Sequence, residues 1–156
     1  MQIDPDILAV QPFLSGMCRP HLELLAQSSM LAQFRTDETI ISEGAIANRF
    51  YLILEGRVDV EAPRQDGEAL TIQTLVKGDV LGWSWLFPPY NWLFSARAVV
   101  PTKAIFFYAT PLRELCEKNP DLGYELMKRV SEIAVKRLQA TRHQLVDHTR
   151  KLPVPL

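Results

Sequence analysis

Ile41 to Val60 read ISEGAIANRFYLILEGRVDV, and the alternation in this run points to a β-rich fold. Phe50, Leu52 and Leu54 fall on one face of an extended strand, with Tyr51 and Ile53 on the other. Glu43-Gly44 and Glu55-Gly56 are turn signals on either side, and Val58 and Val60 then alternate with charged residues. Downstream, Asp66-Gly67 predicts a hairpin into a strand from Leu70 to Leu75, and Gly78-Asp79 turns the chain again. Ser95 to Val100 and Ala104 to Tyr108 read as two more strands joined at Pro101-Thr102. Short strands punctuated by turns at this spacing predict a sandwich or barrel.

Helical patterns flank the strands. A short helix is expected among the prolines and apolar residues of the first segment, and a second begins at Pro20, with Leu22, Leu25 and Ala26 as its stripe. After Thr110-Pro111 the period is helical again. Asn119-Pro120 interrupts it ahead of a long helix from Leu122 to about Thr149, and the prolines of Leu152 to Leu156 cannot extend that helix. The expected architecture is one mainly-β domain over residues 1–156, a β-roll at 30–109 followed by C-terminal helices at 110–150.

The long helix carries two apolar faces in its first half. Leu122, Leu126, Val130 and Ile133 form one. Met127, Ser131, Ala134, Leu138, Thr141, Leu145 and His148 recur at alternating steps of four and three, the spacing of a coiled-coil seam. A homodimer through Leu138, Thr141 and Leu145 follows, with a lone helix lying on its own domain as the alternative. Lys128, Arg129, Lys136, Arg137, Arg142, Arg150 and Lys151 make the helix basic, but they interleave with Glu125, Glu132 and Asp147 and read as a solvated face.

A net charge of −1 with 22% charged residues gives no reason to expect a nucleic-acid partner. No apolar run has the length of a membrane span, and MQIDPDILAV lacks the basic start of an export signal, so a cytoplasmic protein is expected. Cys18 and Cys116 fit no metal-site spacing and read as small hydrophobes in or near the core. His21, His143 and His148 form no metal-spaced cluster, the strands contain no histidine, and no nucleophile–base order or P-loop pattern occurs. The reading is non-enzymatic, with no cofactor required.

Three stretches, ISEGAIANRFYLILEGRVDV (41–60), GDVLG (78–82) and RAVVPTKAIFF (97–107), resemble the cyclic-nucleotide-binding domain of the CRP/FNR regulators, protein kinase A regulatory subunits and cyclic-nucleotide-gated channels. Glu125 to Leu145 is similar to the dimerisation helix of the catabolite activator proteins. The resemblance implies a double-stranded β-helix, or jelly roll, whose short cassette holds a cyclic phosphate. Backbone N–H groups face the anion, an arginine pairs with it, and a glutamate takes the ribose hydroxyl. Counted without gaps from Gly82, the glutamate position is Trp83 and the arginine position is Trp92.

The resemblance thus implies a ligand site at Gly82, Trp83, Ser84 and Trp92, with both polar anchors replaced by indoles. Arg97, in Ser95-Ala96-Arg97-Ala98, serves as the phosphate arginine only if the cassette is five residues longer than usual; otherwise it lies outside the roll. Thr141 matches a threonine that reaches the base from the dimer helix, but it can equally pack in the seam. The cassette aromatics have three outcomes open: filling the pocket, lining it for a flat or apolar ligand, or docking a protein partner. The chain ends a few residues past Arg150, so DNA binding by this chain itself is not expected. Sensor with an altered pocket, cyclic AMP or cyclic GMP binder through Arg97, ligand-free interaction protein and heterodimerising regulator all stay open on sequence alone.

Overall fold

The computed structural model describes residues 3–150, with side chains described as far as residue 147. The chain begins with α1 (Pro5–Ala9), a 3-10 turn (Pro12–Leu14) and α2 (Arg19–Gln27). Eight strands follow: β1 (Ser29–Phe34), β2 (Thr39–Ile41), β3 (Arg49–Glu55), β4 (Arg57–Pro63), β5 (Ala69–Val76), β6 (Val80–Leu81), β7 (Ser95–Ala98) and β8 (Thr102–Tyr108). Then come α3 (Ala109–Lys118) and α4 (Pro120–Arg150). The strands form two four-stranded antiparallel sheets, ordered β1-β8-β3-β6 and β2-β7-β4-β5, which is the expected jelly roll.

The run that predicted the fold becomes β3, the turn at Gly56 and β4. Gly56 has φ +110°, and a Cβ there would run into Thr102 Oγ1 and lie 2.8 Å from the Pro101 carbonyl. Only glycine lets the β3–β4 turn come this close to the start of β8. Thr102, itself buried, donates to the Val100 carbonyl and so begins β8 two residues before Ala104. β7 correspondingly stops at Ala98, shorter than Ser95 to Val100.

Alternation set the β3 faces, but both are buried. Phe50 packs on Phe13, Trp85 and Phe107, while Tyr51 packs on Phe34 and Phe106. This strand lies inside its sheet, between β8 and β6, and is covered on both sides.

Pro111 sits in the first turn of α3, where a missing N–H costs nothing, so the helix starts ahead of it. Gly123 lets α4 lie against α3, its missing Cβ leaving room for the Cys116 carbonyl. The inner face of α4 buries Leu122, Leu126 and Val130. Its outer face leaves Tyr124, Met127, Val135, Leu138 and Leu145 exposed. The His148 side chain and the tail Leu152 to Leu156 lie outside the described residues.

Two sequence expectations need correcting. Cys18 is exposed at the start of α2 rather than in the core, whereas burial pushes the half-buried Cys116 thiol up to about 11. Arg137, read as part of a solvated face, is only 4% exposed. Among the described residues no helix is long and apolar enough to cross a membrane.

Candidate ligand site beneath the tryptophan cassette

β6 feeds directly into the cassette. Gly82 takes φ +89°, then Trp83 leads into a three-residue 3-10 turn, Ser84–Leu86. The loop beyond it is stitched to the segment before β3. Gly44 N–H donates to the Trp92 carbonyl at 2.9 Å, Trp92 N–H donates to the Ala45 carbonyl at 2.9 Å, and Ala47 N–H donates to the Tyr90 carbonyl at 2.6 Å. From α3, Arg113 donates to the Trp85 carbonyl and lies 4.2 Å from the Tyr90 ring centroid. The cassette is therefore held from both sides.

The three tryptophans divide. Trp85 is fully buried against Phe50. Trp92 is 6% exposed and its six-membered ring lies over Gly82, where a Cβ would meet it at 2.6 Å. Trp83 is half-buried and, with Gly82, Ser84 and Trp92, lines what remains of the space beneath the cassette. That space is a void of about 20 Å³. One water needs roughly 10–15 Å³, and small-molecule sites run to about 300 Å³ or more.

Two of the sequence candidates lie elsewhere. Arg97 sits between the buried Ala96 and Ala98 on β7 and so points out of the roll. Its Nε donates to Glu61 at 3.0 Å and its Nη1 to Asp37 at 2.8 Å. The charge of Glu61, opposed by some burial, raises its pKa further above the ordinary arginine value. Thr141 donates to the Arg137 carbonyl at 2.9 Å, closing a turn of its own helix, and does not line the void.

Arg137 is the residue that sequence reasoning missed. It reaches from α4 to the wall of the void. Its Nε donates to Gln73 Oε1 at 3.2 Å, while its Nη2 is buried with no partner. Burial, partly offset by the charge of Asp79, pushes the guanidinium down to about 10, so it remains charged at neutral pH. The indole N–H groups of Trp83 and Trp85 are likewise buried and unpartnered. A buried cation with an empty donor costs stability, and apolar replacement of such groups is commonly neutral or favourable. Arg137→Leu is therefore expected to leave stability unchanged or raise it by about 1–3 kcal/mol, measured by urea unfolding. A loss of more than about 1 kcal/mol would mean that the guanidinium stabilises the fold.

The roll, the short cassette and the long helix packed over it define a cyclic-nucleotide-type sensor fold. The cyclic nucleotide-binding domain family matches residues 31–119, and the chain belongs to that family. Among solved structures, a candidate cyclic nucleotide-binding protein from Geobacter metallireducens is 31% identical, with a TM-score of 0.78 over 87% of this chain and 98% of that one.

Curated relatives include a CRP-like cAMP-activated global transcriptional regulator from Mycobacterium tuberculosis, 22% identical over 91% of this chain. The nitrogen fixation regulation protein FixK of Bradyrhizobium diazoefficiens is 30% identical over 72% of this chain. The chain spans 62% of the first relative's length and 45% of the second's. It is related to CRP/FNR regulators and is a cyclic-nucleotide-binding-like domain.

Proposed function

We propose that this domain is a homodimeric, non-enzymatic regulatory module whose nucleotide pocket is filled by its own cassette. The observation that carries this reading is the Trp92 ring lying on Gly82, which reduces the pocket to about 20 Å³. Arg97, the nearest arginine in the cassette sequence, is engaged by two carboxylates outside the roll and does not replace a phosphate clamp. A hydrogen bond to a charged group contributes about 1.5–3 kcal/mol, so losing a two-bond clamp and a ribose carboxylate removes roughly two to four decades of affinity. Tryptophan fluorescence is expected to show no saturable change with cyclic AMP or cyclic GMP through the micromolar range. A micromolar site abolished by Arg97→Ala would reverse the reading.

Dimerisation is supported by the exposed stripe on α4. Met127 and Leu138 are 39% and 69% exposed along the predicted seam, and Tyr124 and Val135 widen it. Sedimentation velocity is expected to give a dimer for the native chain and a monomer for Leu138→Glu, with unchanged helical content. A native chain that sediments as a monomer would remove the dimer from this reading. The relatives' description as regulators supports a non-enzymatic role. Exposed Phe87 and Leu93 on the cassette favour a second reading, a contact with another protein. Loss of a partner on Phe87→Ser together with Leu93→Ser would support it.

A further inference from the structure

A second cavity, about 340 Å³, lies between α4 and the roll, bounded by the 3-10 turn before α2, by β5 and by the β5–β6 turn. Its size falls within the usual range of small-molecule sites, roughly 300–1,000 Å³. Its wall carries Lys128, Arg129, Lys136 and Arg137 against Asp79 and Glu132. That is a surplus of two positive charges in a chain of net charge −1.

Some of these groups are already engaged. Arg129 donates to Glu125 and to the Ser15 carbonyl, Lys128 faces Glu125, and Asp79 accepts from the Val76 N–H. Lys136 makes no ion pair among the described residues. Arg137, which forms part of this wall as well as that of the cassette void, is 96% buried and keeps an unpartnered Nη2. Such a group lacks an acceptor, and a carboxylate or phosphate is the strongest acceptor for a guanidinium.

We propose that this cavity binds a small hydroxylated oxyanion, a hydroxycarboxylate or a sugar phosphate, held through Arg137 and Lys136. The anion neutralises the positive surplus. The carboxylates of Asp79 and Glu132 accept from the ligand's hydroxyl groups and select against a bare polyanion. The bound molecule bridges α4 to the β5–β6 turn, so it couples the helix to the roll. This holds whether or not the space beneath the cassette takes a nucleotide.

Calorimetric titration at matched ionic strength, with citrate and with glycerol 3-phosphate as probes and sodium chloride as the control, tests it. Saturable binding of one molecule per chain is expected for at least one probe, in the micromolar to low-millimolar range, and the two arms separate carboxylate from phosphate. Arg137→Leu is expected to weaken it about tenfold or more, and Lys136→Ala by several-fold. Trp92→Phe, beneath the cassette, is expected to leave it unchanged. Should Arg137→Leu fail to fold, Lys136→Ala, at an exposed position, carries the test alone. No saturable heat from either probe overturns the proposal. So does an affinity that the tested basic-residue variants leave unchanged, or one lost on Trp92→Phe but kept on Lys136→Ala.

Discussion

Trp92→Ala is expected to lower the unfolding free energy by about 3–5 kcal/mol, the range for truncating a large buried aromatic. An indole buries about 150–250 Å², which at roughly 25 cal/mol per Å² corresponds to about 4–6 kcal/mol gross. Trp92 is 6% exposed, so nearly all of that is at stake. The surrounding backbone cannot collapse easily, because the Trp92 N–H and carbonyl are tied to Ala45 and Gly44. A cavity therefore persists where the ring was. Chemical rescue gives the corroborating measurement. Millimolar free indole is expected to raise the melting temperature of the variant and leave that of the native chain alone, because a ligand stabilises only the state that binds it. A loss below about 1 kcal/mol, without rescue, would mean that the ring is not a structural plug.

Gly82→Ala attacks the same contact from the other side, and its expected cost is about 2–5 kcal/mol. Two independent causes contribute. The backbone sits at φ +89°, a conformation that costs an L-residue about 1–2 kcal/mol. The new Cβ would also lie 2.6 Å and 2.7 Å from atoms of the Trp92 ring, and overpacking of this kind costs about 1–3 kcal/mol. The two causes separate in the double variant. Removing the ring relieves the clash and not the backbone strain, so Gly82→Ala is expected to cost less in a Trp92→Ala background than in the native chain. Urea unfolding of the four chains measures that coupling, and strictly additive losses would show that the two residues do not touch.

The β-roll was legible because its signals are local. Strand alternation and glycine turns act between near neighbours, and Glu55-Gly56 and Asp66-Gly67 both became turns between the expected strands.

The site was less readable. Arg97 satisfies its charge with Asp37 and Glu61, 60 and 36 positions away, and no spacing rule foretells such partners. Arg137 was missed because a charge on an amphipathic helix is normally solvated. The signal was present all the same. The inner stripe Leu122, Leu126, Val130 and Ile133 continues by one more step of four to 137, so the helix period buries whatever stands there. Cys18 went the other way. Its place at the start of α2 leaves it exposed, and terminal helix positions carry no periodic signature.

The occupancy of the space beneath the cassette is tested most directly by a crystal structure grown in saturating cyclic AMP. The expected density is the Trp92 indole seated on Gly82, with room beneath the cassette for no more than a water. A sugar–phosphate ring in that position, with the indole swung aside and a guanidinium on its phosphate, would contradict the filled pocket and return this domain to the nucleotide binders.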